Sequence, residues 1–454
     1  MQKTRARRFG ALVVGLALVA AACGDDEEAT PASEAPVTEA PVETEAPVET
    51  DAPVETDAPV DTAAPVEGVC AGESDGQLHI GTVLPQTGNL AFLGPPEFAA
   101  VELAISEINA AGGVLGQEVL LTQGDSGDTS TDIANQTVDS HLAAGVDAFI
   151  GAASSGVSFT FIDKLVENCK IHFSPANTSP DFTAYDDGGL YFRTAPSDVL
   201  QGRVLADLMI EEGVTDAVFM ALQDPYGEGL LKYSSEPFAD QGGTVVDSFT
   251  YDPTLATFDA EVDRVVSADP SALVLIGFAE SAQILTGLFE NGFTPDVKKI
   301  YLVDGNVGNA LAEGFAPGAF LGIRGTLPAA ETTEDFKNAL LEVDPELTDY
   351  SYAPESYDAV MITALAAAIA GTDDPGAIAA TINGVTRDGE KCTTFADCMA
   401  LIEAGTDIDY DGPSGPQTFG PEGEPTEASF QILSYDEANQ VYGAIAPEYR
   451  FAKI

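Results

Sequence analysis

Residues 148–180 read AFIGAASSGVSFTFIDKLVENCKIHFSPANTSP. The apolar run 148–150 has the length of a buried strand, 157–168 is a stretch of helical length, and 170–173 is a second strand. Two short strands joined through a helix run parallel, because a parallel connection needs a crossover that a tight turn cannot supply. Each strand is followed by a loop of small and hydroxyl-bearing residues, Gly151-Ala152-Ala153-Ser154-Ser155-Gly156 and then Ser174-Pro175-Ala176-Asn177-Thr178-Ser179-Pro180. In sheets of this kind ligands gather beyond the carboxyl ends of the strands, where helix N-termini present unpaired N–H groups.

The same rhythm continues on both sides. Upstream, 79–84 reads as a strand, 96–109 as a helix with Phe98, Val101, Leu103, Ile105 and Ile108 as its apolar positions, 118–122 as a strand and 131–144 as a helix. Downstream, helices at 198–212, 228–241, 258–268 and 280–291 alternate with strands at 217–221, 244–249, 273–276 and 300–303. Two alanine-rich helices, 352–370 and 375–382, precede a Gly/Pro-rich tail with strands at 429–434 and 441–445. The pattern predicts an α/β fold of two doubly wound, parallel-sheet lobes. The material after the second set implies that the chain crosses between lobes more than once and so forms a hinge.

The amino terminus is of another kind. Lys3, Arg5, Arg7 and Arg8 precede an apolar run, 9–22, that is too short to span a membrane comfortably, as in an export signal. It ends in Val19-Ala20-Ala21-Ala22-Cys23-Gly24, which resembles a bacterial lipobox with Cys23 as the lipidated residue and alanine in place of the commoner leucine. Segment 23–68 is an acidic, Pro-rich stalk of APVETE-like repeats with no aromatic residue, Lys or Arg, so it has nothing to build a core from. The body that follows, about 385 residues, exceeds what one core usually holds. It carries 14 Lys and Arg against 60 Asp and Glu, which makes nucleic acid a poor partner. Cys70, Cys169, Cys392 and Cys398 are an even set in an exported chain, and disulfides are expected: Cys392 with Cys398 locally, leaving Cys70 for Cys169. His79, His141 and His172 are scattered without ligand spacing to a cysteine, so no metal site and no cofactor are expected.

The chemistry therefore rests on loops. The hydroxyls and backbone N–H groups of 151–156 suit a carboxylate, although read alone the segment is also an ordinary N-cap. Loop 174–180, stiffened by two prolines, offers carbonyls and hydroxyls side by side, as a zwitterion requires. The G-x-S-x-G nucleophile elbow is absent and no histidine has a partner role, so the chain does not read as an enzyme. A cell-envelope hydrolase, a sensory receptor of the same fold and a purely structural surface protein are the competing readings.

Several motifs in order, IGAASSGVS (150–158), IHFSPANTSP (171–180), YFRTAPSDVLQGR (191–203) and DPYGEGL (224–230), resemble those of the branched-chain amino-acid (Leu/Ile/Val) binding proteins, which have the type I periplasmic-binding fold. The opening 78–109 and the later APESYDAV (353–360) are similar to the same family, and 391–419 resembles actinobacterial members. The resemblance implies an extracytoplasmic, lipid-anchored, monomeric solute-binding subunit that hands a small amino-acid-like ligand to an ABC permease. It implies lobe 1 from 77–196 plus 329–412 and lobe 2 from 197–328 plus 413–454. Carried over by motif, Ser155, beside Ser154, binds the ligand carboxylate, the Ala176 carbonyl accepts from its ammonium, Thr178 bridges both ends and Tyr226 closes over it. Leu93 stands where the family often has an aromatic, giving an aliphatic wall, and Phe278 stands where a tyrosine is common. The ammonium-binding glutamate would fall at Gly305, with Asp304 beside it as the substitute carboxylate.

Overall fold

A computed structural model describes residues 68–453. The expected signal 1–22, the lipidation site Cys23 and, apart from Gly68, the stalk 23–68 lie outside the described residues. β1 (His79–Val83), β2 (Leu120–Thr122), β3 (Ala148–Gly151), β4 (Ile171–Ser174) and β5 (Tyr191–Arg193) form one sheet in the order β2-β1-β3-β4-β5, parallel throughout. β6 (Asp216–Leu222), β7 (Thr244–Tyr251), β8 (Ala272–Ile276), β9 (Lys299–Leu302) and β10 (Arg324–Pro328) belong to a second sheet. β11 (Glu390–Cys392) and β12 (Ile408–Tyr410) pair separately, and β13 (Glu427–Ser434) and β14 (Glu448–Lys453) complete the second sheet as β14-β13-β10-β9-β8-β6-β7. That sheet is parallel from β7 to β10 and antiparallel at its last two pairings, so it is mixed where the sequence suggested a parallel one.

Composition follows position. β8 reads ALVLI and is buried at every residue, as a central strand covered on both faces must be. The helix Ala353–Ala370 is buried over most of its length, between Gly94–Ala110 and Pro375–Val385. Its alanines are what allow neighbours to approach from several sides. The chain passes from the first sheet to the second after β5, and returns after β10 to the helix Glu334–Val343, which packs on Gly94–Ala110. It remains with the first core beyond 412: the Ser414 N–H donates to Asp358 at 2.9 Å, and Phe419 belongs to that core. The third crossing therefore lies close to Glu427, later than the 412/413 boundary expected. Both expected disulfides, Cys70–Cys169 and Cys392–Cys398, are present.

Two other expectations are corrected. The helix expected over 157–168 is two short ones, Ser155–Ser158 and Ile162–Glu167. Phe159 stacks on Phe182 at 4.0 Å while Phe161 packs against His172 at 4.8 Å, and burying both rings breaks the helix between them. Segment 441–445 is not a strand. The Asp436 carboxylate accepts from the N–H groups of Ala438, Gln440 and Ala444, which closes 436–444 into a loop and passes the edge-strand role to β14.

Candidate functional site

The two loops first singled out are tied into one unit. The Ser174 hydroxyl donates to the Ala152 carbonyl at 2.7 Å and accepts from the Asn177 N–H at 2.9 Å, and the Asn177 amide donates to the Ala152 and Ala153 carbonyls. Ser154 caps the helix after it by accepting from Val157, and the Ser155 hydroxyl accepts from the Ser179 N–H at 3.3 Å. Arg193, buried at the end of β5, donates to the Asn177 and Ser179 carbonyls at 3.2 and 2.8 Å, and Glu424 balances its charge. Gly151 has φ +122°, and a Cβ there would lie 2.1 Å from the Val83 carbonyl oxygen, so only glycine lets this loop leave β3 alongside β1.

The second lobe supplies aromatic rings and acids. Asp224 caps the helix Pro225–Asp240 by accepting from the Gly227 N–H at 2.7 Å, which fixes Tyr226 in its first turn. Tyr226 stacks on Phe278 with ring centroids 5.4 Å apart, and its hydroxyl donates to Asp304 at 2.8 Å. Asp304, just past β9, also accepts from Gln201 at 2.8 Å and from Tyr352 at 2.7 Å. A Cβ at Gly305 would lie 2.8 Å from the Gly277 carbonyl oxygen and 2.9 Å from the Tyr226 hydroxyl. A glutamate has no room at 305 in this packing, and Asp304 is the carboxylate that enters the cluster.

Asp198 begins the helix that leaves the first crossing, and its N–H donates to the Thr178 carbonyl at 2.8 Å. Its carboxylate is fully buried, and neither of its oxygens nor the Thr178 hydroxyl has a hydrogen-bond partner among the described residues. Burial, then the nearby charge of Asp304, push Asp198 well above the usual carboxylate range. Burial also raises Asp304, against the hydrogen bonds from Tyr352, Tyr226 and Gln201. Asp224, at the rim, is pushed up to about 7 by burial. Asp198, Asp304 and Asp224 make the site rich in buried acids, held toward their neutral form until a positive group is placed among them, which suits a ligand bearing an ammonium.

The lobes meet here. The Ser179 hydroxyl donates to the Pro225 carbonyl at 2.9 Å, and a Cβ on Gly156 would lie 3.3 Å from an Asp224 oxygen. A cavity of about 190 Å³ is lined by Asn89, Phe92, Phe278, Ala282, Asn306 and Leu311. A smaller one, bordered by Ser154, Thr129 and Asp224, shares Asn89 and Phe278 with it. Ser154, Ser155, Ala176, Thr178, Tyr226, Phe278 and Asp304 are all buried, and of these Ser154 and Phe278 line the two cavities while Ser155, Ala176, Thr178, Tyr226 and Asp304 line neither. Leu93 is buried in the same apolar cluster as Ala176, Tyr226 and Phe278. It is the adjacent Phe92 that lines the cavity, so the wall expected to be aliphatic carries a ring. Asp198, Gln201 and Tyr352 were not among the sequence candidates. The first two lie inside the 191–203 motif and Tyr352 directly precedes 353–360, so their place beside quoted motifs was the available signal.

The model of the periplasmic binding protein family matches residues 77–439. The chain belongs to that family of solute-binding proteins. It is 29% identical to the Leu/Ile/Val-binding protein homolog 1 of Brucella abortus, over 66% of this chain and 80% of that protein. It is 26% identical to the chemotactic signal transduction system substrate-binding protein BasB of Halobacterium salinarum, over 74% of this chain and 82% of the other. Among solved structures, the branched-chain amino acid transporter substrate binding protein LivJ from Streptococcus pneumoniae, in complex with isoleucine, superposes with a TM-score of 0.68 at 21% identity. That match covers 83% of this chain and all of the other, and establishes the type I periplasmic-binding fold.

Proposed function

We propose that this chain is the extracytoplasmic, lipid-anchored solute-binding component of an ABC importer, and that it holds a branched-chain amino acid or a close analogue without altering it. The observation that carries the ligand class is the pairing of unlike groups. Ser155 and the Thr178 loop present hydroxyls suited to a carboxylate, while Asp198 and Asp304, near that loop, are buried acids whose raised values mark a shortage of positive charge. An ammonium between these acids and the Ala176 carbonyl would supply the missing charge, and Phe92, Phe278 and Leu311 would face an apolar side chain. Lobe 1, lobe 2 and their three crossings act as a hinged trap: ligand bound on the first lobe draws Tyr226, Phe278 and Asp304 onto it, and the closed shape is what a permease engages. Ligand shifts the opening equilibrium only through contacts made better in the closed form, and groups from both lobes provide them.

Calorimetry of the full chain with leucine, isoleucine and valine tests this. Binding of at least one is expected, with Thr178→Ala weakening it about 10- to 100-fold, the worth of a lost hydrogen bond to a charged group. No heat with any of the three, alongside mass-spectrometric release of an uncharged or purely acidic solute from the purified protein, would overturn the ligand assignment. A sensory role is the second reading, favoured by the similarity to BasB. Uptake of labelled ligand by cells lacking the chain separates the two: transport loses its uptake, whereas sensing leaves it intact.

A further inference from the structure

A cavity of about 220 Å³ lies beside the second crossing and shares no lining residue with the two cavities that Phe278 lines. Its walls come from both sides of that crossing. Leu327 on β10, Gln431 on β13 and Tyr449 on β14 belong to the second sheet, and Tyr442 lies in the loop before β14. Lys337 and Tyr350 belong to the segment that has returned to the first lobe. The rings of Tyr350 and Tyr442 meet edge to face at 6.2 Å, and the Lys337 ammonium stands 5.9 Å from the centre of the Tyr350 ring. Gln431 is only 4% exposed. Its amide nitrogen donates to the Ala330 carbonyl at 3.3 Å, and its Oε1 has no partner among the described residues.

We propose that this cavity is a second small-molecule site, taking an aromatic carboxylate. Each part of that description answers a group in the wall. A planar ring packs against tyrosines at little entropic cost, because their side chains are already rigid. A negative group is drawn to Lys337, whose carboxylate partner among the described residues is Glu334, at 3.0 Å and largely exposed, a contact that solvent screens. The protein is strongly acidic overall, and Glu331 acts on Tyr449 and Asp349 on Tyr442, so Lys337 in the wall is the charge that admits an anion.

The probe is 4-hydroxyphenylacetate, titrated calorimetrically into the full chain, with tyramine as the analogue that keeps ring and hydroxyl but carries an ammonium. Binding of the acid and not the amine is expected, weakened at least about tenfold by Lys337→Ala and by Tyr449→Ala. Tyr449 is 41% exposed and Lys337 partly so, and unchanged melting temperatures of both variants verify that the fold is kept. Thr178→Ala, in the cleft, leaves this binding unchanged while weakening the amino acid, which separates failure of this site from failure of the cleft assignment. No heat from the acid, equal affinity in the Lys337 and Tyr449 variants, or loss of binding in Thr178→Ala overturns the proposal.

Discussion

Glu97 and Glu355 lie buried inside the first lobe, where the charge of Glu355 adds to the rise of Glu97, and they show what burial does to an acid without a cation. Glu97 has neither oxygen bonded and Glu355 lacks a partner for one, and both are pushed up first by burial. Glu355 reaches about 8, and Asp224 and Asp358 about 7, against ordinary values of 4.5 and 3.8. Between those limits the folded chain keeps protons that the unfolded chain has released. The stabilisation is therefore complete below the unfolded values and disappears as pH rises through about 7 to 8. His172 acts oppositely: burial holds it down to about 3, so below 6.5 the unfolded chain gains a proton that the folded one refuses, and stability falls. The carboxylate effect stands alone between about pH 7 and 8.5. Lowering the pH across that window should raise the thermal midpoint, and Glu355→Gln should remove part of the rise. A wild-type midpoint that stays flat there contradicts the assignment. At this scale Ser155 and Thr178 stood out as candidates because two successive strand-end loops carry hydroxyls, although either loop alone also reads as a cap or a turn. Asp198 was not, since an acid in the first turn of a helix looks like an ordinary exposed partner of the helix dipole.

Arg193 and Glu424 connect elements far apart in sequence, and the 174–180 loop depends on them. The guanidinium holds the Asn177 and Ser179 carbonyls, so it sets the path of the loop that carries Thr178. Glu424→Ala leaves that cation buried without its counter-charge, a loss of about 3–5 kcal/mol, and cleft affinity should fall with it. Replacing both partners, Arg193→Met with Glu424→Leu, should restore much of the stability in denaturant melts but not the affinity. A single variant as stable as the wild type would refute the assignment. The disulfides should rank by the chain they close. Cys70–Cys169 spans 99 residues and Cys392–Cys398 only 6, so paired serine substitutions should cost about 4–5 and about 2 kcal/mol respectively. Equal costs would mean that loop length is not what governs them. Regular elements with strong apolar periodicity were legible. The break at Phe159–Phe161 and the looping of 436–444 were not, because a stacked ring and a carboxylate accepting three N–H groups are contacts that no local pattern encodes.

For the whole molecule the consequential contact is the one between lobes. A Cβ on Gly229 would lie 2.5 Å from a Pro180 ring carbon across the cleft, so this glycine is what allows the helix Pro225–Asp240 to settle against the first lobe. Gly229→Val should hold the lobes apart and weaken ligand binding without touching the ligand. Small-angle scattering should then report a larger radius of gyration in saturating ligand than the wild type shows. A variant that closes and binds normally would remove this contact from the closure mechanism. The sequence alone determined the α/β alternation, the two sets of strands and the two hydroxyl-bearing loops, because periodicity, turn chemistry and residue type are local properties. Tertiary structure decided which acid enters the cleft, why residue 305 is glycine, where the chain crosses back for the last time and that Tyr352 and Asp198 belong to the centre. Those outcomes depend on the space and charge that distant segments leave one another, and such distances exist only once the chain has folded.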